Sequence, residues 1–390
     1  MTADERNLKS DTTAAHAGRM SEAHFGAVST PVYRASTILF PSFEALEADD
    51  APYTYGRRAT PTSRSFELAM TELEGGAATF VCPSGGNAVV LAFLAVLNAG
   101  DHVLVVDTCY GPTRLFCDKF LKRMGVETTY YDPKIGVGIE ALFRGNTRAV
   151  FCESPGSLTF EVQDVPAIAD IAHRHGASVL LDNTWATPLL FAPFAHGVDL
   201  SIQAATKYVG GHSDILLGYV CANETHAARL ASAHECLCLY ASGDDCYLAL
   251  RGLRTMPLRL RRHGETALAL TSWLSGRSEV ESVLYPALPS SPDNALWKRD
   301  FTGASGLFGF QLKPVLRSAL AAFLDGLTLF GIGYSWGGFE SLIVTSHPRR
   351  AARELPRPAG PLLRIHAGLE DAGDLIADLE RGFDRLNAAP

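Results

Sequence analysis

The sequence predicts an α/β protein: a large domain on a mostly parallel sheet, followed by a smaller α+β C-terminal domain. Three observations carry this. From about residue 60 to 220, short runs rich in branched residues alternate with helical patterns, as strands buried on both faces by crossover helices do. A long helix-prone segment, Asp244 to Leu274, then marks a boundary. Beyond it strands and helices follow in a different order, and 390 residues suffice for more than one structural unit.

Taken in order, the first 58 residues are polar and broken by Pro31, Pro41 and Pro52. They read as an extended arm, with at most a short helix at Ser42 to Glu47. Thr62 to Leu73 is a helix, capped by Thr62 and stopped at Gly75-Gly76. The turn Ser84-Gly85-Gly86-Asn87 opens the apolar helix Ala88 to Leu97. Strands are expected at His102 to Val106, Glu127 to Tyr131, Arg148 to Cys152, Ser178 to Leu181, Leu200 to Ile202 and Leu216 to Cys221. Helices at Thr113 to Met124 and Val165 to His175 lie between them. Pro257 predicts a kink or break in the long helical segment. Strands follow near Ser282 to Tyr285, Gly306 to Lys313, Ser341 to Thr345 and Leu362 to His366, with helices at Arg317 to Leu327 and Leu369 to Leu386. The chain thus divides into an arm (1–58), a large domain (59–250) and a C-terminal domain (251–390).

Composition excludes several classes. Apolar residues make up 47% and charged residues 19%, as in an ordinary globular protein. Lys plus Arg number 34 against 42 Asp plus Glu, a net charge of −8, which disfavours nucleic-acid binding. The basic clusters Arg251 to Arg262 and Arg349 to Arg357 read as solvated or internally paired faces. The longest apolar run, Ala88 to Leu97, is about half of a membrane span, and no secretory leader is evident, so a cytoplasmic protein is expected. Eight cysteines with no Cys-x-x-Cys pair are too few for a disulfide scaffold. His234, Cys236 and Cys238 lack a second ligand pair, so reduced thiols are expected there and no metal.

The chemistry concentrates between Ser178 and Asp214. One strand ends in Asp182, and another leads into Ala205-Thr206-Lys207. Both residues fall at the carboxyl edge of the sheet, where open α/β sheets bind ligands. An acid and a lysine there suit pyridoxal phosphate (PLP), the amine forming a Schiff base and the carboxylate holding the pyridine nitrogen protonated. On these two residues alone, a plain ion pair is the simpler reading. Gly85-Gly86 at a helix start, with Thr206, suits a phosphate. Tyr110 follows a strand and suits stacking on a flat ring. Tyr55 and Arg57 sit in the arm, where crossing to a second subunit would let them complete a phosphate site. Ser335 and Trp336 in Tyr334-Ser-Trp-Gly-Gly338, with Arg364, combine an aromatic wall and a carboxylate-matching guanidinium. Gly331-Ile-Gly333 has the wrong spacing for a dinucleotide fingerprint, which leaves an oxidoreductase as a remote alternative.

In order along the chain, Tyr55-Gly-Arg-Arg58, Leu73-Glu-Gly-Gly76, Glu153-Ser-Pro-Gly-Ser157, Asp182-Asn-Thr-Trp185, Ala205-Thr-Lys-Tyr208 and Gly211-His-Ser-Asp214 form a recognisable set. With Arg251-Gly-Leu-Arg-Thr255, Tyr334-Ser-Trp-Gly-Gly338 and Gly368-Leu-Glu-Asp371, the chain resembles the Cys/Met-metabolism family of PLP-dependent enzymes over nearly its whole length. The resemblance implies the type I (aspartate aminotransferase-like) fold of PLP-dependent transferases. It implies Lys207 as the Schiff-base and catalytic lysine, Asp182 as the pyridinium partner and Tyr110 as the stacking and catalytic tyrosine. Gly85, Gly86 and Thr206 would hold the phosphate, with Tyr55 and Arg57 serving a neighbouring subunit in a homotetramer built from dimers. Ser335, Trp336 and Arg364 would bind the amino-acid substrate. The Ser-Trp-Gly-Gly segment resembles the β-lyase branch, implying β-elimination of cystathionine or a related cysteine S-conjugate. Another sulfur-amino-acid reaction of the family is the alternative. Ala204 and Gly86 depart from relatives that carry Ser and Met there, and His234 to Tyr240 does not align.

Overall fold

Residues 8–48, 50–352 and 360–389 are described in a computed structural model. The first residues of the arm and the end of the Arg349–Arg357 cluster lie outside them. The larger sheet contains β1 (Ala78–Cys82), β2 (His102–Val106), β3 (Glu127–Tyr131), β4 (Thr147–Glu153), β5 (Ser178–Asp182), β6 (Leu200–Gln203) and β7 (Gly218–Ala222), in the order β1-β7-β6-β5-β4-β2-β3. From β6 to β3 every pairing is parallel. Strand β7 runs antiparallel to both β6 and β1. Strands β2, β6 and β7 are buried at every residue, as in a sheet covered on both faces.

The second sheet contains β8 (Val280–Leu284), β9 (Leu307–Leu312), β10 (Gly331–Ile332), β11 (Leu342–Ser346) and β12 (Leu362–His366), in the order β10-β11-β12-β9-β8. It is antiparallel except between β10 and β11. Helices Arg317–Asp325 and Ala372–Ala388 meet through Phe323 and Phe383, whose rings lie 5.0 Å apart.

Several expectations change in detail. Pro257 breaks the long segment into helices Gly243–Leu253 and Met256–Ser275, with the proline in the first turn of the second, where its missing N–H costs nothing. The helix expected from Thr62 begins at Pro61, and Thr60 caps it in a reciprocal pair with Ser63. The arm contains a helix at Ser10–His16 besides Phe43–Ala48. Helix Glu224–Cys236, capped by Asn223, covers a stretch in which no element was expected. Three arginines of the Arg251–Arg262 cluster are paired: Arg254 donates to the Ala14 carbonyl, Arg261 pairs with Asp11, and Arg262 donates to the Glu370 carbonyl. No described helix is long and apolar enough to cross a membrane.

Candidate active site

A parallel sheet gathers the carboxyl ends of its strands on one edge. Asp182 ends β5, and its register partner Glu153 ends β4. Lys207 lies just past β6, and Tyr110 just past β2. Asp182 Oδ1 accepts from the Thr184 N–H at 3.0 Å and from Thr184 Oγ1 at 2.5 Å. Both bonds fall on Oδ1, and among the described residues no hydrogen bond reaches Oδ2. Burial raises the Asp182 pKa, while the Thr184 bonds and the Lys207 charge oppose that rise.

The Lys207 amine is displaced the other way. Burial, reinforced by the nearby Arg364 charge, pushes it down to about 8 against the pull of Asp182. Its Nζ donates to Ser335 Oγ at 2.7 Å, and Arg364 Nη2 donates to the Ser335 carbonyl at 3.1 Å. One serine therefore links the amine to the guanidinium. Ser335 has φ +78°, a left-handed conformation that non-glycine residues hold only under constraint. The constraint is visible two residues on, where a Cβ on Gly337 would lie 2.9 Å from the Lys207 carbonyl carbon. Trp336 packs edge-on against Tyr208 at 5.3 Å, with Lys207 Nζ 5.4 Å from the indole.

Tyr110 is half exposed, and burial of its inner part, followed by the charge of Glu153, raises its phenol pKa. Its backbone N–H donates to Glu153 Oε2 at 2.7 Å. Burial and then the Asp182 charge hold the Glu153 carboxyl well above the usual range. The motif Glu153-Ser-Pro-Gly-Ser157 assigns Glu153 no role; its place at a strand end, one residue past the expected strand, is the sequence signal for it.

Helix Gly85–Val96 aims its N-terminus at this edge of the sheet, with Ser84 capping it through the Asn87 N–H. A Cβ on Gly85 would meet Ala204 Cβ at 2.5 Å, whereas Gly86 faces open space apart from Ser84 Oγ at 3.7 Å. Thr206 Oγ1 donates to the Leu217 carbonyl and accepts from the Leu217 N–H. Tyr55 and Arg57 stand apart: Tyr55 bridges to Thr37, and Arg57 lies over the Tyr55 ring, its charge adding to the burial that lowers the His234 pKa. Among the described residues, no hydrogen bond or ion pair links either one to the Lys207 group. His234 itself is buried and bonded to the Val81 carbonyl, while Cys236 and Cys238 are exposed.

Residues 11–384 match the profile of a family described as Cys/Met metabolism PLP-dependent enzyme. The chain belongs to this family. Among its relatives is the Escherichia coli cystathionine β-lyase MetC, 44% identical over 97% of this chain and 99% of that protein. The Salmonella typhimurium cystathionine β-lyase is 42% identical over 96% and 98%. The structure of cystathionine γ-lyase from Lactobacillus plantarum, complexed with L-serine, superposes with a TM-score of 0.90 at 30% identity, over 97% of this chain and all of that one. Membership of the Cys/Met family removes the oxidoreductase alternative. Gly331–Ile332 is an edge strand paired with β11, and no helix starts at the glycines that follow. An open pocket of about 700 Å³ lined by Asp11, Leu260 and Trp297, among others, contains none of the site residues.

Proposed function

We propose that this enzyme is a PLP-dependent carbon-sulfur β-lyase, converting cystathionine and water to homocysteine, pyruvate and ammonia. The observation that carries the reading is the Lys207–Ser335–Arg364 link, which couples an amine with a lowered pKa to a carboxylate-matching guanidinium. The likeness to the Escherichia coli and Salmonella cystathionine β-lyases supports this choice of substrate.

The residues fit the cofactor. Asp182 Oδ2 is free to accept from a protonated ring nitrogen. Lys207 is nucleophilic near neutrality and would carry the aldehyde carbon. The start of helix Gly85–Val96, with the space at Gly86, suits a phosphate dianion. Thr206 would add its hydroxyl on turning away from Leu217, and Tyr110 would cover the ring. Tyr55 and Arg57, on the arm, would reach the phosphate of a neighbouring copy in a homotetramer built from dimers. Eight free cysteines fit a reducing cytoplasm.

When bound, the cofactor supplies the electron sink that stabilises the charge left at Cα. Arg364 takes the substrate α-carboxylate and fixes its orientation. Lys207 Nζ, freed once the substrate amine takes its place and steered by Ser335 Oγ, would remove the Cα proton. As the sulfur leaves Cβ, the Tyr110 phenol, kept protonated by its raised pKa, donates a proton to the thiolate. Trp336 shapes the pocket wall beside Lys207. The test is incubation of the purified holoenzyme with cystathionine. Pyruvate and thiol in equal amounts are expected; 2-oxobutyrate would replace this reading with γ-elimination.

A further inference from the structure

Alternate residues of a strand share a face, and on β12 Arg364 and His366 do so. Arg364 Nη2 donates to the carbonyl of Ser335, and His366 Nε2 donates to the carbonyl of Gly338, each at 3.1 Å. Two neighbouring side chains of one strand thus hold both ends of the Ser335–Gly338 loop. This loop carries the strained Ser335, whose Oγ reaches Lys207, and Trp336 beside it.

The two holds differ in kind. A carbonyl only accepts, so the His366 proton sits on Nε2 and Nδ1 is an acceptor. Nδ1 is buried without a partner among the described residues. The ring is wedged between His263, at 5.0 Å, and Tyr208, at 5.9 Å. His263 is itself tied to the Ala367 carbonyl, and Tyr208 accepts from the Gly306 N–H. His366 is therefore a fixed donor with one use. Arg364 is less enclosed and has two uses, because the guanidinium that holds Ser335 is also the one that matches a carboxylate.

We propose that His366 is a positioning residue of the substrate site. Its bond to Gly338 keeps Ser335 and Trp336 against Lys207 when Arg364 turns its fork to the substrate carboxylate. The inference rests on the β-lyase reading only in taking Arg364 as the carboxylate anchor. Without His366, substrate binding would release the loop at both ends, and the φ of Ser335 would relax toward ordinary values.

The test compares holoenzymes of wild type, His366→Phe and His366→Gln. Phe keeps a ring but cannot donate; the Gln amide nitrogen reaches the position of Nε2. Loss of this buried bond in His366→Phe should raise KM for cystathionine about tenfold, with kcat held within about threefold. Amide exchange in peptides spanning residues 331–341 should quicken about tenfold while β9 keeps its protection. His366→Gln should restore both. An unchanged KM and loop exchange in His366→Phe would overturn the proposal. So would exchange rising equally in β9 and helix Ala372–Ala388, or Gln behaving like Phe. If wild type does not turn over cystathionine, the β-lyase reading fails and loop exchange alone decides the role of His366.

Discussion

Burial gives Lys207 a reactivity that its sequence position alone could not. The neutral amine is the nucleophile, so a pKa lowered to about 8 brings the reactive form within reach of neutral pH. In the apoenzyme, the rate at which Lys207 captures pyridoxal phosphate should therefore rise with pH through about 8 and level off above it. An ordinary lysine would keep rising to about 10.4; stopped-flow absorbance over pH 6.5–10.5 separates the two, and a rise centred near the ordinary value would refute the lowered pKa. Arg364 supplies the second prediction at this scale. Removing a charge-assisted bond should raise KM for cystathionine by about tenfold or more in Arg364→Ala, with the cofactor retained. Arg364→Lys should recover little of it, since a point charge lacks the fork. Steady-state kinetics with cofactor absorbance check both, and an unchanged KM would remove Arg364 from the site.

Elements rich in periodic signal are legible in the sequence. Strands β2, β3 and β12 begin and end where the branched runs do, and Pro257 divides its segment as a proline should. What the sequence hid follows from physics that composition does not encode. Helix Glu224–Cys236 is mostly alanine and polar residues with only Leu230 and His234 buried, so its apolar stripe is too thin to read. Asp182 and Lys207 could be assigned to one edge of the sheet, but the pairing of Glu153 with Asp182 needed the strand order. The same holds for Ser335 bridging Lys207, past the end of β6, and Arg364 on β12 of the second sheet. At this scale the helix Gly85–Val96 offers a prediction of opposite signs. Gly85→Ala forces a Cβ into Ala204 and should lower the apoenzyme Tm by several degrees, with cofactor affinity falling alongside. Gly86→Ala meets only Ser84 Oγ at 3.7 Å, at a helical position with no positive φ, and should hold or slightly raise the apoenzyme Tm. Calorimetry of both apoproteins tests the packing; equal losses would mean that Ala204 is not the obstacle.

The whole molecule balances buried groups whose pKa values are displaced in opposite directions. Burial raises Glu67 and Glu74 to about 7, even though Glu67 faces Arg64 and Glu74 accepts from Tyr219 and Ser201. Burial lowers His263 to about 4 and His366 to about 3, each opposed by a carbonyl bond. Between pH 7 and 4.5 the folded state takes up protons at the two glutamates that the unfolded chain does not yet bind, so acidification favours folding there. Between pH 6.5 and 4 the unfolded chain takes up protons at the histidines that the folded state refuses, so acidification opposes folding. A shift from 4.5 to about 7, or from 6.5 to about 4, corresponds to something on the order of 3 kcal/mol per group, and the two directions largely cancel. Removing one side should expose the other. The apparent Tm of Glu74→Gln relative to wild type should fall progressively as pH drops from 7 to 5, because the variant has lost a group that gains protons on folding. The Tm of His263→Asn relative to wild type should rise over the same interval, the Asn amide still serving the Ala367 carbonyl. Paired melts at fixed protein and cofactor concentration read each difference directly. If both differences stay flat with pH, these groups titrate alike in the folded and unfolded chain, and burial does not displace their pKa values.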